Sequence, residues 1–451
     1  MSTSRAAVSL SQVLAALSTA LDMAEGQPAG HSVRTCVIGC RLADELGLPA
    51  ADRSALYYAL LLKDAGCSSN AARFAALFGS DDQSTKHRMK LVDWHRRVRL
   101  AIETARNVAR GGTLAQRIDR FRTIANTPNM TRDLMQTRCD RGAEIVRQMG
   151  FPDATADAIR ALDEHWCGKG YPSGLRGDAI PLLARIANVA QTVELFFSRG
   201  GPSEALRVVR QRSGTWFDPR LARLVLAWRR DAAWWDTLRA PDVAALVVAL
   251  EPAEHVRRID DDHGLDVVAR AFADIIDAKS PYTFRHSSRV AEYARGIAET
   301  SGLGATSCQR LHRAGLLHDI GKLGVSNRIL DSPGRLTAEE RVEVERHPLH
   351  TWEILRRVDA FREFAWLAAT HHEKLDGSGY PWKLRAEDLD RPARILVVAD
   401  IYEALTADRP YRAGMPHAQA MEILAAERGT KLCPDAVDAL GAWVEQRAAA
   451  A

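Results

Sequence analysis

Apolar residues recur at intervals of three and four positions along most of this chain. Two examples are the stripes Leu14, Leu17, Leu21 and Val290, Ala294, Ile297. This period places apolar side chains on one face of an α-helix. Sustained strand-type alternation with hairpin turns is not found in the sequence. The pattern predicts an all-α fold.

One short segment could be mistaken for a strand. Residues 394–399 (Arg-Ile-Leu-Val-Val-Ala) are strongly apolar, but they continue without a turn signal into residues 401–405 (Ile-Tyr-Glu-Ala-Leu). A strand would normally end within this length, so the continuation favours a helix.

The chain also resembles itself. The spacing from His31 to Asp64 equals the spacing from His286 to Asp319. Further pairs of similar segments are 16–22 and 271–277, 168–172 and 377–381, and 214–219 and 429–434. Internal similarity of this kind indicates that one helical domain has been duplicated in tandem.

The repeat predicts the domain organisation. We expect a first domain at 1–227, a connector at 228–262 and a second domain at 263–451. The first domain has an insert around 68–135 that is rich in Arg and Ala and is predicted to be helical. The connector holds an apolar helix-like run at 243–250 and a group of tryptophans, which we interpret as a packing surface between domains rather than a ligand platform.

Composition excludes several classes of protein. The net charge is only +4 and charges of both signs are interspersed, which argues against a nucleic-acid-binding tail or a polybasic membrane patch. The seven cysteines are scattered without a CxxC pair, as expected for reduced thiols in a cytoplasmic protein. With no apolar run of eighteen residues and no signal-peptide pattern, we expect neither a membrane span nor export.

The chemistry of the chain centres on His318-Asp319-Ile320-Gly321-Lys322. An imidazole beside a carboxylate suits a first-row divalent ion, and an Asp carboxylate can bridge two such ions. The ammonium of Lys322 would reach the same face one helical turn later. Taken alone, such a pair is more often a surface or capping feature than a site.

Other residues of the ligand type surround this pair in the sequence. The second domain contributes seven candidate metal ligands: His286, His318, Asp319, His347, His371, His372 and Asp400. Five imidazoles and two carboxylates could hold two ions if one aspartate bridges them, with positions left for water and substrate oxygens.

These motifs resemble the HD-GYP phosphodiesterases of bacterial cyclic-dinucleotide signalling. The resemblance covers about 265–445 and rests on four segments: 283–290 around His286, the pentad 318–322, Glu345-Arg346-His347-Pro348, and 371–381, which runs from His-His to Gly-Tyr-Pro. It ends with residues 400–412, from Asp400 to Arg412. The family hydrolyses cyclic di-GMP or related cyclic dinucleotides with iron or manganese in an all-helical domain.

The resemblance implies a role for each residue. His286, His318, Asp319 and Asp400 would hold one ion, and Asp319 would bridge to a second ion held by His347, His371 and His372. The implied catalytic residues are Asp319 and Lys322, with Lys322 on the substrate phosphate. The implied substrate contacts are Gly379, Tyr380, Arg409 and Arg412, although the two arginines could instead form a solvated helix face.

Some members of the family hold a third ion through a glutamate four residues before the first histidine. Here that position is Tyr282. The resemblance therefore implies two ions, and a linear dinucleotide as the product.

The first domain has lost most of this pattern. His31 and Asp64 remain, but Lys63, Cys67 and Arg138 replace a histidine, the lysine and the middle histidine. Leu162-Asp163 replaces the His-His pair, and Gln191 replaces the last aspartate. We predict a catalytically inactive domain that serves as a scaffold, a homodimer contact or a binding site for a signalling partner; nucleotide sensing through Lys63, Arg138 and Tyr171 is the alternative.

Two functions therefore follow from the sequence. The first is a metal-dependent cyclic di-GMP phosphodiesterase in the cytoplasm with a degenerate first domain. The second is a non-catalytic receptor that binds a cyclic dinucleotide and signals to a partner. The complete set of ligands in the second domain favours the enzyme.

Overall fold

A computed structural model of the chain describes residues 8–127, 129–240, 242–253, 257–259, 261–408 and 413–450. Almost all regular structure in these ranges is helical, which confirms the predicted all-α class. The ambiguous run at 394–399 lies inside a single helix, Arg391–Thr406. None of the described helices combines the length and apolar character that a membrane span requires.

The chain divides into two compact units. The first comprises residues 1–261 together with Ser326–Arg328, and the second comprises 262–325 and 329–451. The segment predicted to be a connector is thus part of the first unit, apart from its last residue. The predicted boundaries remain our proposal for how the duplicated domains are delimited.

The first unit is built from thirteen helices in the described ranges. They are α1 (Leu10–Ala24), α2 (His31–Glu45), α3 (Ala50–Leu62), α4 (Ala71–Phe78), α5 (Asp82–Leu91), α6 (Arg97–Asn107), α7 (Leu114–Asn126), α8 (Met130–Gln148), α9 (Asp153–Arg160), α10 (Leu182–Arg212), α11 (Pro219–Ala227), α12 (Ala232–Thr237) and α13 (Val243–Ala249). Two short strands, β1 (Val8–Ser9) and β2 (Arg258–Ile259), pair antiparallel.

Helix α10 is interrupted near its middle. Gly200 and Gly201 leave helical geometry, and Gly201 has a φ of 73° that favours glycine. Pro202 follows, whose missing N–H fits the start of a new helical segment. Buried residues lie on both sides of this break, from Leu183 to Phe197 and from Ala205 to Arg212.

The tryptophans of the predicted connector pack within the first unit. Trp228 and Trp235 are buried, and the indole nitrogen of Trp228 donates to Glu45 of α2 at 2.7 Å. The Arg41 guanidinium lies 4.5 Å from the ring centroids of Trp228 and Trp234. Their role is therefore to close the core around α2 rather than to offer a ligand platform.

The second unit repeats this helical arrangement. Its helices are α14 (Asp262–Asp277), α15 (His286–Thr300), α16 (Ala305–Leu317), α17 (Asn327–Leu330), α18 (Ala338–Val344), α19 (His347–Leu355), α20 (Arg362–Ala369), α21 (Arg391–Thr406), α22 (His417–Glu427) and α23 (Pro434–Ala450), with α17 beginning in the three residues assigned to the first unit. The central helix α15 packs against α16, α21 and α23. Correspondingly, α2 packs against α3 and α10 in the first unit.

Candidate metal centre

Four ligand atoms of the second unit meet at one point. His286 is the first residue of α15, His318 and Asp319 follow the end of α16, and Asp400 lies on α21. His286 Nε2 lies 3.2 Å from His318 Nε2 and 3.4 Å from both Asp319 Oδ2 and Asp400 Oδ1. His318 Nε2 lies 3.4 Å from Asp319 Oδ2. Separations of this size match ligand atoms that share an ion with bonds of about 2.1 Å.

A second group surrounds the other oxygen of Asp319. His347 Nε2 lies 3.3 Å and His371 Nε2 lies 3.5 Å from Asp319 Oδ1, and the two ring nitrogens are 3.1 Å apart. His372 completes this group, whose ligand atoms all lie within 4.8 Å of one another. The two oxygens of a single carboxylate are thus divided between two sets of ligands.

The backbone orients three of the imidazoles. Nδ1 of His318 lies 2.8 Å from the Gly315 carbonyl oxygen, and Nδ1 of His371 lies 2.7 Å from that of Ala368. Nδ1 of His347 likewise lies 2.6 Å from the backbone carbonyl oxygen three residues before it. Because a carbonyl can only accept, Nδ1 must carry the proton in each ring. Nε2 is therefore the ring nitrogen that faces the Asp319 carboxylate and would serve as the metal ligand.

His286 is oriented differently, by the Glu403 carboxylate at its Nδ1. Sequence reasoning missed Glu403, although a signal was present. It follows Asp400 by three positions on α21, and Glu194 follows Gln191 by the same interval in the first unit. There Glu194 contacts His31 Nδ1. The repeat itself therefore marks this glutamate as the residue that orients the first histidine.

The carboxylates and imidazoles of the centre shift one another's pKa values. Burial opposes protonation of His286, but Asp319, Asp400 and Glu403 raise its pKa well above the usual value. Burial opposes ionisation of Asp319, but His318 and Lys322 hold its pKa well below the usual value. Burial lowers the pKa of His347 to about 4, so this imidazole is neutral near pH 7. Ionised carboxylates and neutral imidazoles are the protonation states that coordinate divalent ions.

A further observation is consistent with a metal centre at these residues. Asp319 and His318 are fully buried, and Asp319 Oδ1 accepts no hydrogen bond from the residues that the structure describes. A buried carboxylate oxygen left without a donor is costly unless a cation satisfies it. The described residues could therefore hold two divalent ions, with Asp319 between them.

The predicted substrate contacts lie partly around this centre. Lys322 Nζ lies 2.6 Å from Asp319 Oδ2 and its side chain is 22% exposed, so it connects the buried centre with solvent. The Tyr380 ring lies 4.7 Å from that of His372. A Cβ on Gly379 would come within 2.6 Å of the His372 carbonyl oxygen, so only glycine fits this loop. Arg409 and Arg412 lie outside the described residues.

The corresponding place in the first unit is filled by ion pairs. Lys63 contacts Asp64, and Arg138 contacts Asp163. Lys90, which lies in the insert and was not predicted, is 2.7 Å from Glu25 Oε2 and 3.6 Å from Asp64 Oδ1. Burial opposes the charge of Asp64, but Lys63 and Lys90 hold its pKa well below the usual value. Ammonium groups occupy the space that divalent ions would need.

One cluster of three residues in the first unit is as compact as a metal site, but its side chains are not available as metal ligands. Glu25, Asp64 and Cys67 offer ligand atoms within 4.8 Å of one another. Burial raises the pKa of the Cys67 thiol well above its usual value, so no thiolate is available. Both carboxylates are paired with lysines. This group is a buried salt-bridge cluster.

Residues 121–221 and 270–435 match the HD domain family. Together these ranges cover more than half of the chain, so the chain belongs to the HD-domain family. This confirms the superfamily that the His-Asp and Gly-Tyr-Pro motifs predicted.

Individual relatives match this chain over different lengths. The chain is 41% identical over 446 residues to 3′3′-cGAMP-specific phosphodiesterase 3 of Vibrio cholerae, covering 98% of this chain and 95% of the relative. A crystal structure of a V. cholerae cyclic GMP-AMP-specific phosphodiesterase, V-cGAP3, shares 37% identity over 98% of both chains with a TM-score of 0.66. The cyclic di-GMP phosphodiesterase PA4108 of Pseudomonas aeruginosa is 34% identical over 201 residues, covering 41% of this chain and 48% of the relative.

Proposed function

We propose that the second unit hydrolyses a phosphodiester bond of a cyclic dinucleotide at a two-metal centre. The observation that carries this proposal is the division of the two Asp319 oxygens between two sets of ligands. His286, His318 and Asp400 would complete the coordination of one ion. His347, His371 and His372 would complete that of the other. Iron or manganese suits such a mixture of imidazole and carboxylate ligands.

Each residue of the chain has a definable part in this chemistry. Two bound divalent ions would supply a nucleophilic water at neutral pH and charge neutralisation at the phosphate. Lys322 adds an ammonium beside Asp319, where negative charge accumulates during attack on an anionic phosphodiester. Burial raises the pKa of Tyr380, so its phenol stays protonated and can donate a hydrogen bond to substrate.

The preferred substrate we propose is 3′3′-cGAMP. The V. cholerae enzyme specific for it matches the first unit as well as the second. Cyclic di-GMP, which the motifs alone suggested, is the second candidate because relatives such as PA4108 act on it and match about the length of one domain. Complete ligands in the second unit favour an enzyme over a non-catalytic receptor.

We further propose a linear dinucleotide as the product. Tyr282 stands where a third ion would need a carboxylate, and a phenol with a pKa near 10 supplies no negative charge at neutral pH. Two ions per chain are therefore expected.

The decisive experiment is a side-by-side assay of the full chain loaded with Mn²⁺ or, anaerobically, Fe²⁺. Products of 3′3′-cGAMP and cyclic di-GMP are separated by chromatography at early times. We expect faster conversion of 3′3′-cGAMP, with linear dinucleotide accumulating. A faster rate with cyclic di-GMP would overturn the substrate assignment, and binding without turnover of either would favour the receptor.

A further inference from the structure

The first unit contains a cavity of about 780 Å³ beside the ion pairs that fill the place of its lost metal centre. Its wall includes His31, Arg138, Asp163 and Gln191, which occupy the repeat positions of His286, His347, His372 and Asp400 in the second unit. Ligand pockets typically measure about 300–1,000 Å³. The degenerate domain has lost the ligands of its centre but has kept a cavity large enough for a nucleotide.

Positive charge dominates this cavity. Seven Lys or Arg side chains line it, against two carboxylates, Glu25 and Asp163. Lys86 is buried and Lys90 is partly buried, and they lie 3.1 Å and 2.7 Å from Glu25 oxygens, while Arg138 contacts Asp163. These cations are matched by carboxylates, so they form the structural base of the cavity.

Apart from Arg212, which is buried against Trp216, the remaining cations are exposed residues of the wall. Arg97, Arg132 and Lys169 are exposed, and none forms an ion pair with a residue in the described ranges. Lys169 belongs to the Gly-Lys-Gly-Tyr-Pro loop, where the second unit has Ser378. Unpaired cations of one sign around a cavity attract an anionic ligand.

Aromatic rings form another part of the wall. The Trp94 ring centroid lies 5.2 Å from that of Trp216 and 6.1 Å from that of Tyr171. Trp94 and Tyr171 are only partly buried, so they offer ring surface to the cavity. Planar bases stack on such surfaces.

This wall is specific to the first unit. Trp94 comes from the insert, and Trp216 and Arg212 stand where the second unit has Lys431 and Glu427. The Arg212 guanidinium lies 4.0 Å from the Trp216 ring centroid, whereas Lys431 and Glu427 form an ion pair. An aromatic wall with unpaired cations has replaced an ion-paired surface.

We propose that this cavity is a second, non-catalytic nucleotide site that binds a purine dinucleotide, with its phosphates at Arg97, Arg132 and Lys169 and a base at Trp94. The choice of a dinucleotide rests on the proposed function, because the cavity lies in a duplicate of the substrate-binding domain. The charge and the rings alone require only a phosphate joined to a planar base.

Isothermal titration of the full, metal-loaded chain tests this proposal. The probe is a non-hydrolysable bis-phosphorothioate of 3′3′-cGAMP, with linear dinucleotide, GMP and inorganic phosphate as further arms. We expect two equivalents of the cyclic probe per chain. The cyclic and linear arms distinguish substrate from product as the natural ligand.

Charge reversal at the cavity identifies the second equivalent. Arg97→Glu combined with Lys169→Glu should weaken one equivalent roughly tenfold or more, since both changes place a carboxylate near the phosphates. Arg122→Glu is the matched control, because this exposed arginine lies in the insert but outside the cavity wall. Arg122→Glu should still bind two equivalents of the cyclic probe. Turnover should be normal in this control and in the double variant.

Asp319→Ala separates this proposal from the proposed function. That variant should lose turnover but keep the equivalent that depends on Arg97 and Lys169. A single equivalent that disappears in Asp319→Ala and is unaffected by charge reversal would overturn the second site. Equal affinity for inorganic phosphate and for the dinucleotides would overturn its assignment to a nucleotide.

Discussion

The two copies of the helical domain keep the same supports but differ in the charged groups at their centres. Ser287 Oγ donates to Asp277 at 2.6 Å in the second copy, and Ser32 Oγ donates to Asp22 at 2.7 Å in the first. A Cβ on Gly321 would come within 2.0 Å of the backbone oxygen of the next ligand, His347. Gly66 has the same close approach, 1.9 Å, to the Arg138 oxygen.

The difference lies in the side chains that these supports present. In the second copy, imidazoles and carboxylates leave Asp319 Oδ1 without a hydrogen-bond donor among the described residues. In the first copy, Lys63 donates to Asp64, and Lys90 Nζ lies 3.6 Å from the other Asp64 oxygen. Loss of metal ligands was therefore accompanied by gain of buried cations, which keeps the remaining carboxylates paired. The same fold thus presents either a set of candidate metal ligands or a salt-bridge cluster.

The largest expected effect is that of Asp319→Ala on turnover. This change removes the carboxylate whose two oxygens are divided between the two ligand sets, so both ions should be lost. We expect activity to fall by about three orders of magnitude or more. Metal analysis and initial rates measure the outcome. A variant that retains two ions and a normal rate would contradict the assigned centre.

The same substitution in the other copy should act on stability instead. Asp64→Ala leaves the buried Lys63 without its carboxylate, whereas Lys90 keeps Glu25 at 2.7 Å. Breaking a buried pair in this way typically costs about 3–5 kcal/mol in unfolding free energy. Chemical denaturation measures this loss. The metal content and turnover of the folded protein should be unchanged, and a loss of bound metal would show that the first copy is also a metal site.

A smaller effect is expected from the glutamates that orient the first histidines. Glu403→Gln weakens the hold on His286 and should lower metal affinity about 10–100-fold. Glu194→Gln is the matched control, because it makes the same change beside His31, which holds no ion in our account. Competition with a chelator measures both affinities. Equal losses in the two variants would refute the distinction between the copies.

The smallest effect concerns acid stability of the first copy. Burial opposes ionisation of Glu194, but His31, Arg34 and Ser198 lower its pKa from 4.5 to about 2. A carboxylate with a depressed folded pKa stabilises above pH 4.5, and this contribution is lost as the pH falls toward 2. By pH 4 the loss should amount to roughly 1 kcal/mol of the unfolding free energy.

Denaturation curves between pH 6 and pH 4 measure this contribution. Glu194→Gln should lose less stability over that range than the unchanged chain, because its amide does not titrate. The same slope in both proteins would show that the carboxylate is not held ionised by its partners.

The sequence predicted more of the second copy than of the first. The spacing of apolar residues was sufficient to predict the helices. The repeat identified which residues occupy equivalent positions in the two domains. The seven candidate ligands, though distant along the chain, are close together in the structure. Their assignment as metal ligands remains a prediction, as do the roles of Tyr282, Arg409 and Arg412.

The centre of the first copy could not be predicted in the same way. Lys86 and Lys90 lie in an insert with no counterpart in the other copy, so the repeat gives no register for them. Glu25 lies just past α1, and only the fold brings it to the lysines. Trp94 likewise reaches the cavity wall only through the path of the insert.

Anomalous diffraction at the iron or manganese edge, from crystals of the metal-loaded chain, tests the central contrast most directly. We expect two peaks, one on each side of the Asp319 carboxylate, and no peak among Glu25, Asp64 and Cys67. A peak in that first-copy cluster, or a single peak that does not contact Asp319, would contradict this expectation.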